Sequence, residues 1–487
     1  MEYAIKPLTK KGVMWLLITS AIVILLMMVL GVVMLLNQGN LILISPQWFY
    51  KIMTAHGTGM IGIASLGGLA IMWYFLSKYL PLNPKMLITN FILFLIAVSF
   101  ILLGIFGFNF SDGWTFLYPL PSQSAEFNGS AGALFFLFGL LLLGVGFLMI
   151  YGYVAYHLTL KYGGLHKSLG WDYILGKKTG YGPPPAAVAS TMVVICNSTA
   201  ILTGATVIVF SILNILNPSI EINPLLAKHL TYAFGHIFAN CTIYMAVIAV
   251  YEGLAAATNR PWKSNKVFLI AWNCSTLFTL MIYTHHLLMD FAVPKWMLII
   301  GQVFSYANGL PVMVVTAYGA LMIVYRSGIK WNFPSLLFFL SMFGWLAGAI
   351  PAIIDATIVI NHIMHNTKWV PGHFHMYMGM GVITMIFGFM SYFNQQEGKV
   401  KENGWDLFSI VLYFIFFLGL TGSFLYAGKI STPRRWAEHL PEWVASDQVG
   451  AVCGILIVIA SLIITIRFFI GIKSAGKEEH RNHTKTA

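Results

Sequence analysis

Charge is what this 487-residue chain has least of: Asp, Glu, Lys and Arg together make up 9% of it, while 58% is hydrophobic and the mean hydropathy is +0.78. A soluble protein of this length could not cover its surface with so few charges, so most of its solvent must be lipid. Long polar stretches are missing too, which excludes a sizeable soluble domain. There are only four cysteines (Cys196, Cys241, Cys274 and Cys453), all in apolar segments and with no CxxC or CxxCH spacing. They read as small buried residues, neither disulfides nor a thiolate metal site nor a covalent heme attachment. Acidic residues are scarce, 16 against 28 basic ones. In so apolar a chain that excess reflects membrane topology and does not call for a nucleic-acid partner. Short-period repeats, low-complexity runs and a cleavable leader are not seen: Met1 to Gly12 is short and basic, and the apolar run behind it is long enough to span.

What is present is a succession of apolar runs. A span needs roughly 20 such residues, and breaks at Pro, Gly and charge leave about twelve: 14–36, 51–79, 87–110, 131–159, 186–216, 228–257, 266–290, 295–325, 334–357, 370–393, 405–428 and 446–473. The expectation is an all-α integral membrane protein, one domain over 1–487 with a tail at 474–487. Lys and Arg divide 21 to 7 between the two sides, which puts both termini in the cytoplasm.

Six of the fourteen histidines fall at one depth on that topology: His56, His236, His285, His286, His373 and His375. They come from four spans and lie in the outer half of the membrane. Ionisable side chains there are costly and usually functional. Unrelated histidines bonding neighbouring helices would not share a layer. His373 and His375 are two apart, hence about 200° apart around a helix. One metal cannot easily take both, but two planar cofactors on opposite sides of the helix can, and neutral imidazole is a favoured axial ligand of heme iron. If His56 faces one of these hemes, that heme has no open position, while the other keeps one. His236, His285 and His286 offer three nitrogens without a thiolate, a set suited to copper or zinc, and copper fits redox chemistry beside a heme. An adjacent pair diverges by about 100° on a regular helix, so His285 and His286 imply a distorted helix end.

The motifs Ala55-His56-Gly57, Gly235-His236, Thr284-His285-His286 and Trp369-Val370-Pro371-Gly372-His373-Phe374-His375 resemble those of subunit I of the heme-copper oxidase superfamily, over essentially the whole chain. The resemblance implies two hemes, at least one of them heme b, and one copper, CuB. His56 and His375 would hold the low-spin heme, His373 the high-spin heme, and His236, His285 and His286 the copper. Arg434 and Arg435, in Pro433-Arg434-Arg435, resemble the arginine pair at the heme propionates. His365-Asn366-Thr367 resembles the propionate-side loop of the compact, thermophile-type oxidases.

One departure bears on substrate. The family's oxygen reductases carry a tyrosine one turn after the first copper histidine, cross-linked to it; here Asn240 stands there. The alternative tyrosine position on the seventh span is Thr279, and Tyr283 is off that register. The Gly-His-Ile-Phe-Ala-Asn stretch is similar to a short, copper-containing nitric oxide reductase branch. The resemblance therefore implies reduction of nitric oxide to nitrous oxide, electrons passing from the low-spin heme to the heme–CuB centre, with reduction of dioxygen as a cytochrome c oxidase the alternative. Tyr244, Tyr251 and Glu252 on the sixth span, with Thr316 and Tyr318 on the eighth, resemble a proton route. The same family implies a second subunit carrying CuA, a c-type cytochrome as electron donor, and a bacterial or archaeal cytoplasmic membrane. A polytopic transporter would require broken helices and a midplane polar site. A bis-heme electron carrier would leave His236, His285 and His286 without a role.

Overall fold

The computed structural model describes residues 3–122, 124, 130–396 and 401–485, with side chains to 473. Among the described residues, twelve helices are long and apolar enough to cross a membrane. They are α1 (Pro7–Gln38), α2 (Pro46–Leu76), α3 (Pro84–Gly107), α4 (Ser130–Tyr162), α5 (Pro185–Leu216), α6 (Pro224–Thr258), α7 (Lys266–Leu287), α8 (Lys295–Val324), α9 (Phe333–Asp355), α10 (Trp369–Gln396), α11 (Gly404–Lys429) and α12 (Pro441–Lys473). Each corresponds to one run read from the sequence. Several start earlier than the apolar run does, α1 at Pro7 and α12 at Pro441, because a polar first turn continues the helix without being apolar. The last helix runs on to Lys485, through most of the stretch read as a tail. No strand occurs among the described residues, only an isolated bridge between Thr367 and Pro433.

The helix starts are written locally. Proline opens α1, α2, α3, α5 and α6, where its missing N–H costs nothing. Ser45, Asn83 and Asn223 cap α2, α3 and α6 by accepting from Trp48, Lys85 and Leu226 backbone N–H groups. Asn332 and Ser335 form a reciprocal capping box at α9.

Burial sorts the twelve into two sets. The most apolar windows of α2, α6 and α10 are 83%, 83% and 89% buried, against 28–50% for the rest. These three are the inner helices, and they carry His56, His236, His373 and His375. Two departures from regular helix fall near the histidine layer. α7 tightens into a 3₁₀ segment over Ile282–Leu287 and α10 widens into a π segment over Met376–Ile383; α6 breaks about three turns beyond His236, at Val247. Such segments commonly mark functional sites. At Gly301 on α8 an added Cβ would lie 3.0 Å from the Thr284 carbonyl carbon and 3.2 Å from the His285 nitrogen, so only glycine lets α8 rest against the 3₁₀ end.

Candidate metal and heme centre

All six layer histidines line one cavity of about 380 Å³, together with Asn240, Tyr244, Asp355, Tyr377, Arg434 and Arg435. Within it they divide into two groups.

The rings of His56 and His375 face each other with centroids 6.2 Å apart and planes 12° from parallel. His56 Nδ1 donates to the Met27 carbonyl and His375 Nδ1 to the Pro371 carbonyl, each at 2.7 Å. Both bonds fix the tautomer and leave Nε2 as a lone-pair donor. Two imidazoles at this separation, each with Nε2 free, would suit one metal ion held between them.

His236, His285 and His286 form the second group, their ligand atoms within 4.8 Å of one another. His236 Nδ1 lies 2.9 Å from His286 Nε2. His285 Nδ1 is 2.9 Å from Ser305 Oγ, which donates onward to the Gly301 carbonyl at 2.6 Å. The serine therefore accepts the His285 Nδ1–H, and Nε2 is left for a metal. The distorted end expected for the adjacent pair is the 3₁₀ segment, and there the two rings come within 4.3 Å. Tyr232 stacks on His286 at 4.6 Å and 6°.

His373 lines the same cavity. Asp355, which also lines it, has one carboxylate oxygen at 3.7 Å from His365 Nδ1, and the other is buried with no hydrogen-bond partner. His365 meets the His286 ring edge at 5.6 Å. Its loop is sewn to the arginine loop: Lys368 N–H donates to the Thr432 carbonyl at 2.9 Å and Arg434 N–H to the Asn366 carbonyl at 3.2 Å. Arg435 Nη2 donates to Thr115 Oγ1 at 2.8 Å. Burial first, then the neighbouring Arg435, pulls the Arg434 guanidinium down to about 10, an environment that calls for an anion.

Beside the three-histidine group, Asn240 Nδ2 lies 3.4 Å from His236 Nε2, and Tyr377 Oη reaches Asn240 Oδ1 at 3.3 Å. Tyr283 turns away, its hydroxyl 3.5 Å from His229. Thr279 donates to Asn308 at 3.0 Å, next to Tyr244. Deeper, Tyr251 Oη and Thr316 Oγ1 are 2.6 Å apart. Glu252 accepts from Tyr79 at 2.8 Å and pairs with Lys78 at 3.7 Å. Tyr318 does not join this column: its side chain is 63% exposed on the outer face of α8.

A family profile described as "Cytochrome C and Quinol oxidase polypeptide I" matches residues 11–463. This chain belongs to that family. With subunit I of the heme-copper oxidases come two hemes, a copper and an oxidoreductase activity in the membrane, among partner subunits. Cytochrome c oxidase subunit 1 of Thermus thermophilus is 22% identical over 272 residues, a match spanning 52% of this chain and 48%, about half, of that relative. Cytochrome c oxidase subunit 1 of Plasmodium berghei is 25% identical over 443 residues, 83% of this chain and 86% of that one. The fold matches a chain of a heme-copper terminal oxidase dimer solved by cryo-EM, with a TM-score of 0.78 and 20% identity over 96% of this chain and 84% of that one.

Sequence reasoning passed over Tyr377, Ser305 and Tyr232. Tyr377 and Tyr232 each carried a signal, four residues after His373 and four before His236, the spacing of one helix face. Ser305 carried none.

Proposed function

We propose that this chain is the catalytic subunit of a nitric oxide reductase, converting two nitric oxide molecules, two electrons and two protons into nitrous oxide and water. His56 and His375 hold the low-spin heme, His373 the high-spin heme, and His236, His285 and His286 the copper. When bound, the second iron and the copper supply two redox-active ions facing one open pocket. The chain's own groups do the remaining work. Arg434, Arg435 and His365 anchor propionates on the outer side, and Ser305 orients His285. Tyr251, Thr316 and Tyr244 give protons a polar path from the side of Glu252. The basic-residue split supports inward-facing termini in a bacterial or archaeal cytoplasmic membrane. Electrons then arrive from outside, through a CuA-bearing subunit supplied by a c-type cytochrome.

The observation that carries the substrate choice is Asn240 at 3.4 Å from His236 Nε2. An amide there cannot give up an electron, as a phenol can when dioxygen is split. Dioxygen is the second reading. It is favoured by the relatives' names, cytochrome c oxidase subunit 1, and by the Tyr377 hydroxyl within 3.3 Å of that amide. Anaerobic nitric oxide consumption and oxygen uptake, measured on one preparation, separate the two. Nitrous oxide formation outpacing oxygen uptake is the expected result. Rapid oxygen uptake with no nitrous oxide formed would overturn the substrate choice and leave the family membership untouched.

A further inference from the structure

His236, Asn240 and Tyr377 form a chain of polar atoms whose hydrogen bonds can run in either of two directions. In the first, Tyr377 O–H donates to Asn240 Oδ1, Asn240 Nδ2–H donates to His236 Nε2, and His236 Nδ1–H donates to His286 Nε2. This direction places a proton on Nδ1 and leaves the three-nitrogen set one lone pair short. In the second, His236 carries its proton on Nε2 and presents the Nδ1 lone pair towards His286 Nε2, 2.9 Å away. Nε2–H then needs an acceptor, and Asn240 is the polar side chain in hydrogen-bond range. Its amide serves when turned end for end, a change that alters no shape. Oδ1 then accepts from His236 and Nδ2–H donates to the Tyr377 oxygen. The Tyr377 hydroxyl, now an acceptor from behind, has its own proton released towards the cavity that it lines.

We infer that Asn240 and Tyr377 form a relay whose direction is set by copper: holding the metal on His236 Nδ1 turns the Asn240 amide and aims the Tyr377 O–H into the pocket, where it hydrogen-bonds the bound gas. Asn240 is the positioning residue and Tyr377 the donor. No bond between heavy atoms forms or breaks. His285 shows the same logic in fixed form, its Nδ1–H committed to Ser305. Metal-bound histidines commonly donate their second N–H to such an acceptor. The backbone supports the placement. An added Cβ at Gly348 of α9 would lie 2.6 Å from the Tyr377 nitrogen, so α9 holds Tyr377 from behind, at the start of the π segment.

The inference rests on copper bound by His236, His285 and His286, whichever gas is reduced. The test uses the full-length protein with both hemes, a chelator competition for copper and the infrared band of carbon monoxide on the high-spin iron. His236→Ala is expected to lose copper; if it keeps copper, the ligand assignment falls and the relay with it. Asn240→Leu removes the Nε2–H acceptor and is expected to weaken copper binding about 10- to 100-fold. Tyr377→Phe is expected to keep the metal and shift the carbon monoxide band. Asn240→Asp can only accept, so it keeps copper but draws the Tyr377 proton back, giving the band of Tyr377→Phe. The low-spin heme spectrum reports folding in every variant. Copper held at wild-type affinity by Asn240→Leu, or an unmoved band in Tyr377→Phe, overturns the relay while His236→Ala still upholds the ligand set.

Discussion

The imidazoles of His56 on α2 and His375 on α10 lie 6.2 Å apart in near-parallel planes, each tethered at Nδ1 to a backbone carbonyl of known position. Neither tether uses a side chain, so no single substitution elsewhere removes it. Replacing either histidine by alanine is expected to abolish the low-spin heme spectrum and leave a carbon-monoxide-reactive heme on His373. Retention of a six-coordinate low-spin band in both variants would contradict the pairing.

Ser305→Ala removes the acceptor that commits His285 to its metal-facing tautomer. A loss of about tenfold or more in copper affinity is expected, with unchanged heme content. Chelator competition on the purified protein measures it.

The six-histidine layer was legible because membrane depth and helix register are both written in one dimension. The same register rule would have removed Tyr318. It stands two residues from Thr316, so the two point to nearly opposite sides of α8, one to Tyr251 and the other outward. What could not be read were contacts between distant parts of the chain. Lys368 counted in the sequence only as an outer-side cation. In the fold its ammonium is buried against Asp447, which also takes His439 at 2.5 Å, and it donates to Gln38 at 2.8 Å. Those residues meet across separations of 79 and 330 positions. Nor could the sequence show that Gly301 permits the 3₁₀ end at the histidine pair.

Burial lowers the Lys368 pKa, and Asp447 opposes that shift. Asp447→Asn would strand the cation, and removing one partner of a buried pair costs about 3–5 kcal/mol. Thermal unfolding should register this as a large drop in midpoint. Lys368→Met combined with Asp447→Asn should recover part of it. A single variant as stable as the parent would mean the pair is not sealed from water.

Lys228 Nζ donates to Asp290 at 2.8 Å, tying the start of α6 to the turn after His286. That hydrogen bond holds the Asp290 carboxyl below its ordinary 3.8. A depressed folded-state value means the tie stabilises at neutral pH and is lost as pH falls through that value. The gain is modest, about 1 kcal/mol or less for a partly exposed pair. Asp290→Asn should therefore unfold slightly earlier than the parent at about pH 7, and the two midpoints should converge below about pH 4. A gap that persists in acid would assign the effect to packing.

Tyr251→Phe removes the hydroxyl that meets Thr316 at 2.6 Å. Slower turnover is expected, with the apparent affinity for the gas unchanged, because the change lies on the proton side of the pocket. Tyr318→Phe, out on the lipid face, should match the parent in the same assay.

α2, α6 and α10 bury more than four-fifths of their most apolar windows, so the bilayer touches them mainly through the helices around them. Thickness changes and lipid exchange are absorbed by that outer palisade before they reach four of the six imidazoles. Imidazole positions insulated in this way can stay constant while the lipid-facing surface changes.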